Sequence, residues 1–470
     1  MSDRHAPVST PASTGPLRRN RATSHVLHRH TGDVLPVAVG GEGCWLIDAE
    51  GRRYLDASGG AAVSCLGHGN RRVRDAIMAQ LDKVAFAHTG FFTNEPMERL
   101  AEMLVEGAPE GIGRACFVSG GSEAIESALK IARQYAVERG DLARTRVIAR
   151  RQSYHGNTLG ALSATGNTGR RRPFLPWVID DVVHVSPCYA WRHRAADETD
   201  IAYGQRLAAE FEHQLRVLGP ETVLAFVAEP VVGATLGAVP AVEGYFKAIR
   251  QICDRHGVLL ILDEVMCGMG RTGYLYACEA DGVAPDMIAM AKGLGAGYQP
   301  IGAVLVSDAI ADVVLHGRLG LMTGHTYMGH PVACAASLAV QEVIRDDGLV
   351  ARVRGLDATF ERLLRDGLGA RPEVGDIRGR GFFRGVELVA DRTTKRPFPA
   401  TAGLAKRIKA AAFDLGLICY PGSGTADGID GDHILLAPPF IATEDELALA
   451  VERLGQAIDR AMADAGLRAA

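Results

Sequence analysis

The feature that most constrains the fold of this chain is an alternation of short apolar runs with helical patterns between about residues 95 and 310. The runs are RACFVSGG, TRVIARR, VLAFVAEP, VLLILDEV, DMIAMAK and IGAVLVSD. Between the third and fourth runs, VEGYFKAIRQICDRHG has apolar residues at helical spacing and ends at Gly257. Strands that alternate with helices predict an α/β fold with a mostly parallel sheet flanked by helices.

The two ends of the chain follow a different pattern. Residues 36–57 alternate apolar and polar side chains around an Ala-Glu-Gly turn, which predicts a hairpin. After about residue 320 come an alanine-rich helix, PVACAASLAVQEVIRDD, strand segments around RGRGFF and GVELVAD, and a terminal helix, EDELALAVERLGQAIDRAMADAG. We therefore predict a flexible tail over 1–25, a large domain over 76–320, and a small α+β domain built from 26–75 and 321–470.

Composition limits the partners of this chain. Its 470 residues carry 51 basic and 55 acidic side chains, so no net field steers it toward nucleic acid or an anionic membrane. No window approaches the roughly 18 apolar residues of a membrane span, and the Ser/Thr/Pro/Arg-rich tail lacks the apolar core of a secretory signal. The nine cysteines have no metal-type spacing and are interpreted as buried apolar residues in a reducing compartment. Small-molecule partners and a cytoplasmic location are expected.

The residues that follow the apolar runs are the candidates for chemistry, because ligands bind at the carboxyl ends of the strands in such sheets. Lys292 follows DMIAMA and precedes a glycine-rich turn, while Glu229 follows VLAFVA. A lysine here could extend to solvent or pair with Glu264 or Asp286. If it is buried, however, it becomes the neutral amine that attacks carbonyl groups.

Three further segments have two interpretations each. Asp263 follows VLLIL and is either a turn former or a buried carboxylate that needs a cation such as a pyridinium nitrogen. In SGGSEAIESALKIAR a helix that begins near Ser122 either has a simple cap or binds phosphate through its free N–H groups. In YHG, Tyr154 is either core filler or a ring that stacks on a cofactor.

The order of these segments resembles that of the class III (omega) aminotransferases, which are pyridoxal-phosphate enzymes of fold type I. The matching motifs are SGGSEA, YHG, AEPVVG, LILDEVMCGMGRTG, MIAMAKGLGAGYQPIGA and GHTYMGHPVACAA, within a resemblance that covers about residues 40 to 455. The separation from Asp263 to Lys292, 292 − 263 = 29 residues, lies where the family places its pyridine-binding aspartate and its Schiff-base lysine. The resemblance implies a large domain with a sheet of the seven-stranded type.

The resemblance also implies roles for individual residues. Lys292 would form the internal aldimine and move the proton between Cα and C4′, Asp263 would keep the pyridine nitrogen protonated, and Tyr154 would stack on the ring. Glu229 matches an acidic residue near the cofactor's hydroxyl group that pairs with a mobile arginine in some members. The other residues that would bind the cofactor are Gly121, Ser122, His155, Gly156 and Val265.

Two further assignments concern the substrate and a second subunit. Phe91 and Phe92 fall where the family lines its substrate pocket. Thr326 matches a residue that reaches the phosphate in the neighbouring subunit, so the resemblance implies a homodimer with shared active sites, with a tetramer as the alternative assembly.

One segment departs from the family pattern. Many members bind a substrate carboxylate with an arginine just before the A-P-P segment or in the nearby C-terminal loop. Here residues 408–452 contain no arginine, and Leu435 stands where one such arginine would be. The run Arg170-Arg171-Arg172 is a candidate replacement, although a basic loop in solvent is the simpler interpretation.

The expected reaction is a ping-pong transamination through aldimine and ketimine intermediates, from a primary amine or amino acid to a keto acid such as pyruvate or 2-oxoglutarate. A pyridoxal-phosphate decarboxylase, racemase or aminomutase is the alternative on the same fold. A nicotinamide dehydrogenase could be suggested by Gly268-Met-Gly270-Arg-Thr-Gly273. It is disfavoured because five residues separate strand and first glycine and no clear helix follows. We expect these glycines to allow a tight turn instead.

Overall fold

The computed structural model describes residues 25–29 and 35–467, so most of the predicted N-terminal tail lies outside the described residues. The strands are β1 (Ala38–Glu42), β2 (Trp45–Asp48), β3 (Arg53–Asp56), β4 (Ile112–Val118), β5 (Arg146–Arg150), β6 (Val182–Val185), β7 (Val223–Ala228), β8 (Val231–Val232), β9 (Val239–Pro240), β10 (Leu259–Asp263), β11 (Met287–Met290), β12 (Gly302–Ser307), β13 (Val374–Arg380), β14 (Phe383–Leu388), β15 (Leu417–Ile418), β16 (Tyr420–Ser423) and β17 (Asp432–Leu436). The α-helices are α1 (Gly59–Ala62), α2 (Arg71–Lys83), α3 (Glu95–Glu106), α4 (Gly121–Glu138), α5 (Leu159–Ala164), α6 (Thr168–Arg171), α7 (Ala190–His193), α8 (Asp200–Leu218), α9 (Tyr245–His256), α10 (Asp308–His316), α11 (Pro331–Asp346), α12 (Leu349–Leu368), α13 (Leu404–Asp414) and α14 (Glu444–Asp464).

The large sheet has seven strands in the order β4-β12-β11-β10-β7-β5-β6. Strand β12 runs antiparallel to both of its neighbours, and the other pairs are parallel. All six apolar runs predicted as strands are confirmed. The seventh strand, β6, was not predicted because it has only four residues and is partly exposed at the edge of the sheet.

The register brings the candidate residues to one edge of this sheet. Asp263 pairs with Ala289, three residues before Lys292. On its other side β10 pairs with β7 so that the residue before Asp263 lies opposite Ala228, which places Glu229 level with Asp263. The carboxyl ends of β7, β10 and β11 therefore converge, as the strand pattern predicted.

Both faces of the sheet are buried. Along β10, Leu260 and Leu262 pack into one apolar cluster with α8 and α9, while Ile261 packs into the cluster that contains α4. Each such side chain contributes roughly 1.5–3 kcal/mol when fully buried. The helix predicted before Gly257 is confirmed as α9, and Gly257 ends it with a left-handed φ of 61°.

The chain ends form smaller sheets. The segment predicted as one hairpin contains three strands, and β15 from the C-terminal region pairs parallel to β3 in the order β1-β2-β3-β15. Another sheet has the order β13-β14-β17-β16. The predicted C-terminal helices are confirmed as α11 and α14, and α14 begins with a capping box between Thr443 and Glu446. The exact domain boundaries stay predictions.

Two properties of the chain bear on the expected partners. Within residues 25–29 and 35–467, no helix is long and apolar enough to cross a membrane. The same residues contain no group of three or more His, Cys, Asp or Glu side chains that could hold a metal ion. All nine cysteines are buried and free, in agreement with their interpretation as small apolar residues.

Candidate active site

Lys292 follows β11 and begins a short 3₁₀ turn that ends at Leu294. Its backbone has a left-handed φ of 45°, which costs roughly 1–2 kcal/mol for a residue with a side chain. Removal of the amine from water lowers the pKa of Lys292 to about 8, although the carboxylates of Asp263 and Glu229 favour the charged form. The neutral, nucleophilic amine is therefore accessible near physiological pH.

Asp263 ends β10 and is 4% exposed. Its Oδ2 lies 2.8 Å from Nδ1 of the buried His155, and its Oδ1 accepts a hydrogen bond of 3.0 Å from the backbone N–H of Val265. Asp263 is thus a turn former and a buried acceptor at once. No described residue forms a hydrogen bond with Nε2 of His155.

Glu229 fixes the backbone around the site. One carboxylate oxygen accepts the backbone N–H of Tyr154 at 3.1 Å, and the other accepts that of Gly233 at 2.9 Å. Burial raises the pKa of the Glu229 carboxyl, against the effect of His155, and the nearby Asp263 raises it further. No described arginine forms an ion pair with Glu229; instead, buried Arg150 donates to its backbone oxygen.

The predicted phosphate-binding segment is the start of α4. This helix begins at Gly121, one residue earlier than the predicted Ser122, so Glu123 is its third residue and accepts the N–H of Ser119 at 2.7 Å. A Cβ at Gly121 would lie 2.8 Å from Cγ1 of Val265, which explains the glycine. Among the described residues, the backbone N–H groups of Gly121 and Ser122 have no hydrogen-bond acceptor.

The YHG segment packs directly against this helix. Ser122 Oγ accepts the backbone N–H of Asn157 at 3.0 Å. Gly156 has a φ of 143°, and a Cβ there would lie 2.8 Å from Ser122 Oγ. The neighbouring Tyr154 is partly buried, and its burial raises the pKa of its hydroxyl, while Arg170 acts in the opposite direction. A glycine is therefore required where the loop touches the helix.

Three predicted residues lie at the surface of the single chain. Phe91 is 83% exposed, Phe92 is 66% exposed, and Thr326 is also exposed. The single chain does not bury them beside Lys292. Their assigned roles, the substrate pocket for Phe91 and Phe92 and the neighbouring subunit's phosphate for Thr326, stay predictions.

The arginine run divides into three different environments. Arg170 lies over the ring of Tyr154, with 4.5 Å from its Cζ to the ring centroid. Arg171 points elsewhere and contacts Nδ1 of His184 at 3.4 Å, whereas Arg172 is exposed. Leu435, at the position of the missing arginine, is fully buried.

Sequence reasoning missed the residues that support this site from outside the motifs. Gln152 has a left-handed φ of 58°, and its amide lies against Thr425 and Gly428 of the C-terminal loop. Glu126 on α4 accepts the N–H of Gly160 at 2.9 Å. The sequence indicated a role for Glu126 only through its position four residues after Ser122, which places both side chains on one face of the helix.

The assembled groups fit pyridoxal 5′-phosphate. The amine of Lys292 can condense with the aldehyde group of the cofactor. The buried carboxylate of Asp263 has no permanently charged partner among the described residues, and a pyridinium N–H would be such a partner. The free N–H groups at the start of α4 suit a phosphate ester, since a helix N-terminus attracts anions.

Comparisons with known proteins cover almost the whole chain. The family model described as Aminotransferase class-III matches residues 27–458. An uncharacterized aminotransferase of Schizosaccharomyces pombe is 44% identical over 428 residues, which are 91% of this chain and 93% of that protein.

Two solved structures are also similar. An (S)-enantioselective omega-transaminase from Thermomicrobium roseum has a TM-score of 0.86 and 37% identity, with 94% of this chain and 96% of that one covered. The PMP-bound form of an aminotransferase from Vibrio fluvialis has a TM-score of 0.85 and 33% identity, with 92% and 94% covered.

Proposed function

Because this chain belongs to the class III aminotransferases, the pyridoxal-phosphate enzymes of fold type I, we propose that it moves an amino group from a primary amine or amino acid to a keto acid. Pyruvate or 2-oxoglutarate is the proposed acceptor, and the two half-reactions follow a ping-pong order. The observation that carries the proposal is the amine of Lys292, with its lowered pKa, at the sheet edge where Asp263 and Glu229 also lie.

Each residue of the site has a part in this proposal. Lys292, as the neutral amine, takes the proton from the substrate carbon and returns it later. Asp263 keeps a proton on the pyridine nitrogen, and its 2.8 Å contact with His155 orients the carboxylate. Pyridoxal phosphate, when bound, supplies an electron sink for the pair left on that carbon.

The remaining groups hold the cofactor in place and line the substrate pocket. Gly121 and Ser122 bind the phosphate through their free N–H groups, and Tyr154 covers one face of the ring. Glu229 supports that tyrosine through its backbone N–H at 3.1 Å. Phe91 and Phe92 line the substrate pocket in the assembled enzyme.

Assembly and location are part of the same proposal. The exposed Thr326 is proposed to reach the phosphate of a partner's site in a homodimer, with a tetramer as the alternative. The proposed location is cytoplasmic.

The decisive experiment is a screen of amine donors against pyruvate and 2-oxoglutarate with the purified, cofactor-loaded protein. Transamination requires loss of the donor amine to depend on the keto acid. Release of carbon dioxide without acceptor, or isomerisation of an amino acid without acceptor, would assign the chain to the decarboxylase, racemase or aminomutase alternatives. Mass spectrometry after borohydride reduction is expected to find the pyridoxyl group on Lys292 and to lose it in Lys292→Ala.

A further inference from the structure

Arg170 is an exposed cation beside the site. It lies on the four-residue helix α6, whose first residues are capped by Asn167. No carboxylate in residues 25–29 or 35–467 forms an ion pair with its guanidinium. Its guanidinium stacks on Tyr154, with 4.5 Å from Cζ to the ring centroid.

This stack leaves the guanidinium free to bind an anion. A cation over a ring face uses none of its N–H donors for that contact, and none of the five donates to a described residue. Such a planar fork matches the two oxygens of a carboxylate. The ring contact therefore orients Arg170 without occupying it.

Other arginines near Tyr154 are less suitable. Arg150 is buried, lies near the ring of Tyr245 and donates to the backbone oxygen of Glu229, so these contacts hold it inside the protein. Arg29 is exposed and, after Arg170, also lowers the pKa of Tyr154, but it has no stacking contact that would orient it. Of these three arginines, Arg170 is the exposed one that a ring contact holds in a fixed orientation.

The charge of Arg170 also acts on the amine of the site. It is among the groups that lower the pKa of Lys292, after burial and against the effect of Asp263 and Glu229. An anion beside Arg170 would therefore be close enough to influence Lys292.

Strands β15 to β17 and the loops between them contain no arginine or lysine. Leu435 is 0% exposed and pairs across the sheet with Tyr420, so this position is closed by apolar packing. With no arginine in residues 408–452, a carboxylate near Tyr154 has to be bound from another element.

We propose that Arg170 is the residue that binds the carboxylate of the keto-acid acceptor, while it remains stacked on Tyr154. This inference rests on the proposed transaminase function and specifies which acceptors the site selects: those with a carboxylate rather than neutral aldehydes. Arg170 is thus a specificity-determining residue on α6.

The test compares pyruvate with propanal, a neutral acceptor, for the wild type, Arg170→Leu and Arg170→Lys, with one amine donor throughout. In Arg170→Leu, the ratio of kcat/KM for pyruvate to kcat/KM for propanal is expected to fall by about tenfold or more, the loss typical of a charge-assisted hydrogen bond. The ratio is compared because loss of the charge near Lys292 acts on both acceptors alike. Arg170→Lys keeps the charge but not the fork, so it is expected to be intermediate. The matched control is Arg172→Leu, which removes an exposed arginine two residues away and is expected to change neither value.

Binding of propionate, measured by calorimetry on the cofactor-loaded protein, gives a second result that needs no turnover. Its Kd is expected to rise about tenfold or more in Arg170→Leu and to stay unchanged in Arg172→Leu. Equal losses for pyruvate and propanal, or an unchanged Kd for propionate, would overturn the proposal. If the wild type transaminates no donor, the proposed function fails, and propionate binding alone decides whether Arg170 holds a carboxylate.

Discussion

The amine of Lys292 determines the pH at which the cofactor can attach. Only the neutral amine attacks an aldehyde, and burial lowers the pKa of Lys292 from 10.5 to about 8. We therefore expect the rate at which the apoprotein takes up pyridoxal phosphate to rise with pH around a midpoint near 8. Mixing experiments followed by absorbance, in buffers from about pH 6.5 to pH 10, measure this midpoint.

The same uptake measurement on Asp263→Asn tests how the neighbouring carboxylate affects the pKa of Lys292. The Asp263 carboxylate favours the charged form of Lys292, so its removal is expected to move the midpoint to a lower pH. A wild-type midpoint near that of an exposed lysine would contradict the burial of this amine.

Individual residues of the site were predictable where they end a strand. Asp263 and Glu229 were identified because the carboxyl ends of neighbouring strands meet at one edge, and the register confirms this. The contact between His155 and Asp263 was not predictable, since 108 residues separate the pair and only the packed fold brings them together. Likewise, the sequence shows three adjacent arginines, but the direction of each depends on the orientation of α6.

At the scale of elements, the loop after β10 depends on one buried carboxyl group. Glu264 accepts the backbone N–H groups of Ala277 at 2.6 Å and Cys278 at 2.8 Å, and thereby closes the loop that contains Gly268-Met-Gly270-Arg-Thr-Gly273. Gly270 and Gly273 have left-handed φ values of 92° and 84° and do not begin a helix, which confirms the predicted tight turn.

Burial raises the pKa of Glu264 from 4.5 to about 7. Below about pH 4.5 both folded and unfolded states hold the proton. Between that pH and about 7 only the unfolded state loses it, so unfolding becomes easier as the pH rises, by about 3 kcal/mol in total. We expect Glu264→Gln to remove this part of the pH dependence.

Calorimetric melting of the apoprotein at pH 5 and pH 8 tests this expectation. The melting temperature of Glu264→Gln is expected to be lower at both pH values, since an amide satisfies only one of the two N–H groups, but to fall less between them. Glu243→Gln removes an exposed carboxylate that is not among the groups acting on Glu264 and is expected to keep the wild-type difference. Identical differences in all three proteins would assign the pH dependence to other groups.

Whole elements were predicted best where both faces are buried. The strands of the large sheet are continuous apolar runs, and these were all found. The edge strand β6 and the division of residues 36–57 into three strands were not, because short, partly exposed strands depend on neighbours that are distant in sequence.

For the whole molecule, the proposed homodimer can be tested at Thr326. Its side chain is exposed in the single chain, as are those of Phe91 and Phe92. If each site takes Lys292 from one subunit and Thr326 from the other, mixing Lys292→Ala with Thr326→Ala restores one complete site in every mixed dimer.

Random exchange of equal amounts makes half of the dimers mixed, each with one of two sites complete. The mixture is therefore expected to reach about a quarter of wild-type activity at limiting pyridoxal phosphate. A mixture of Lys292→Ala with the double variant Lys292→Ala/Thr326→Ala contains no subunit with Lys292, so it is expected to stay inactive. Activity equal to the sum of the separate variants would mean that Thr326 does not act across the interface.

The pairing of β3 with β15 also has a consequence during synthesis. Leu55 pairs with Leu417, 417 − 55 = 362 residues later in the chain. A nascent chain on the ribosome therefore exposes one edge of the β1–β3 sheet until almost nine-tenths of the protein has been translated. An unpaired edge is a template for wrong association, so chaperone dependence is expected to concentrate in this long interval before β15 emerges.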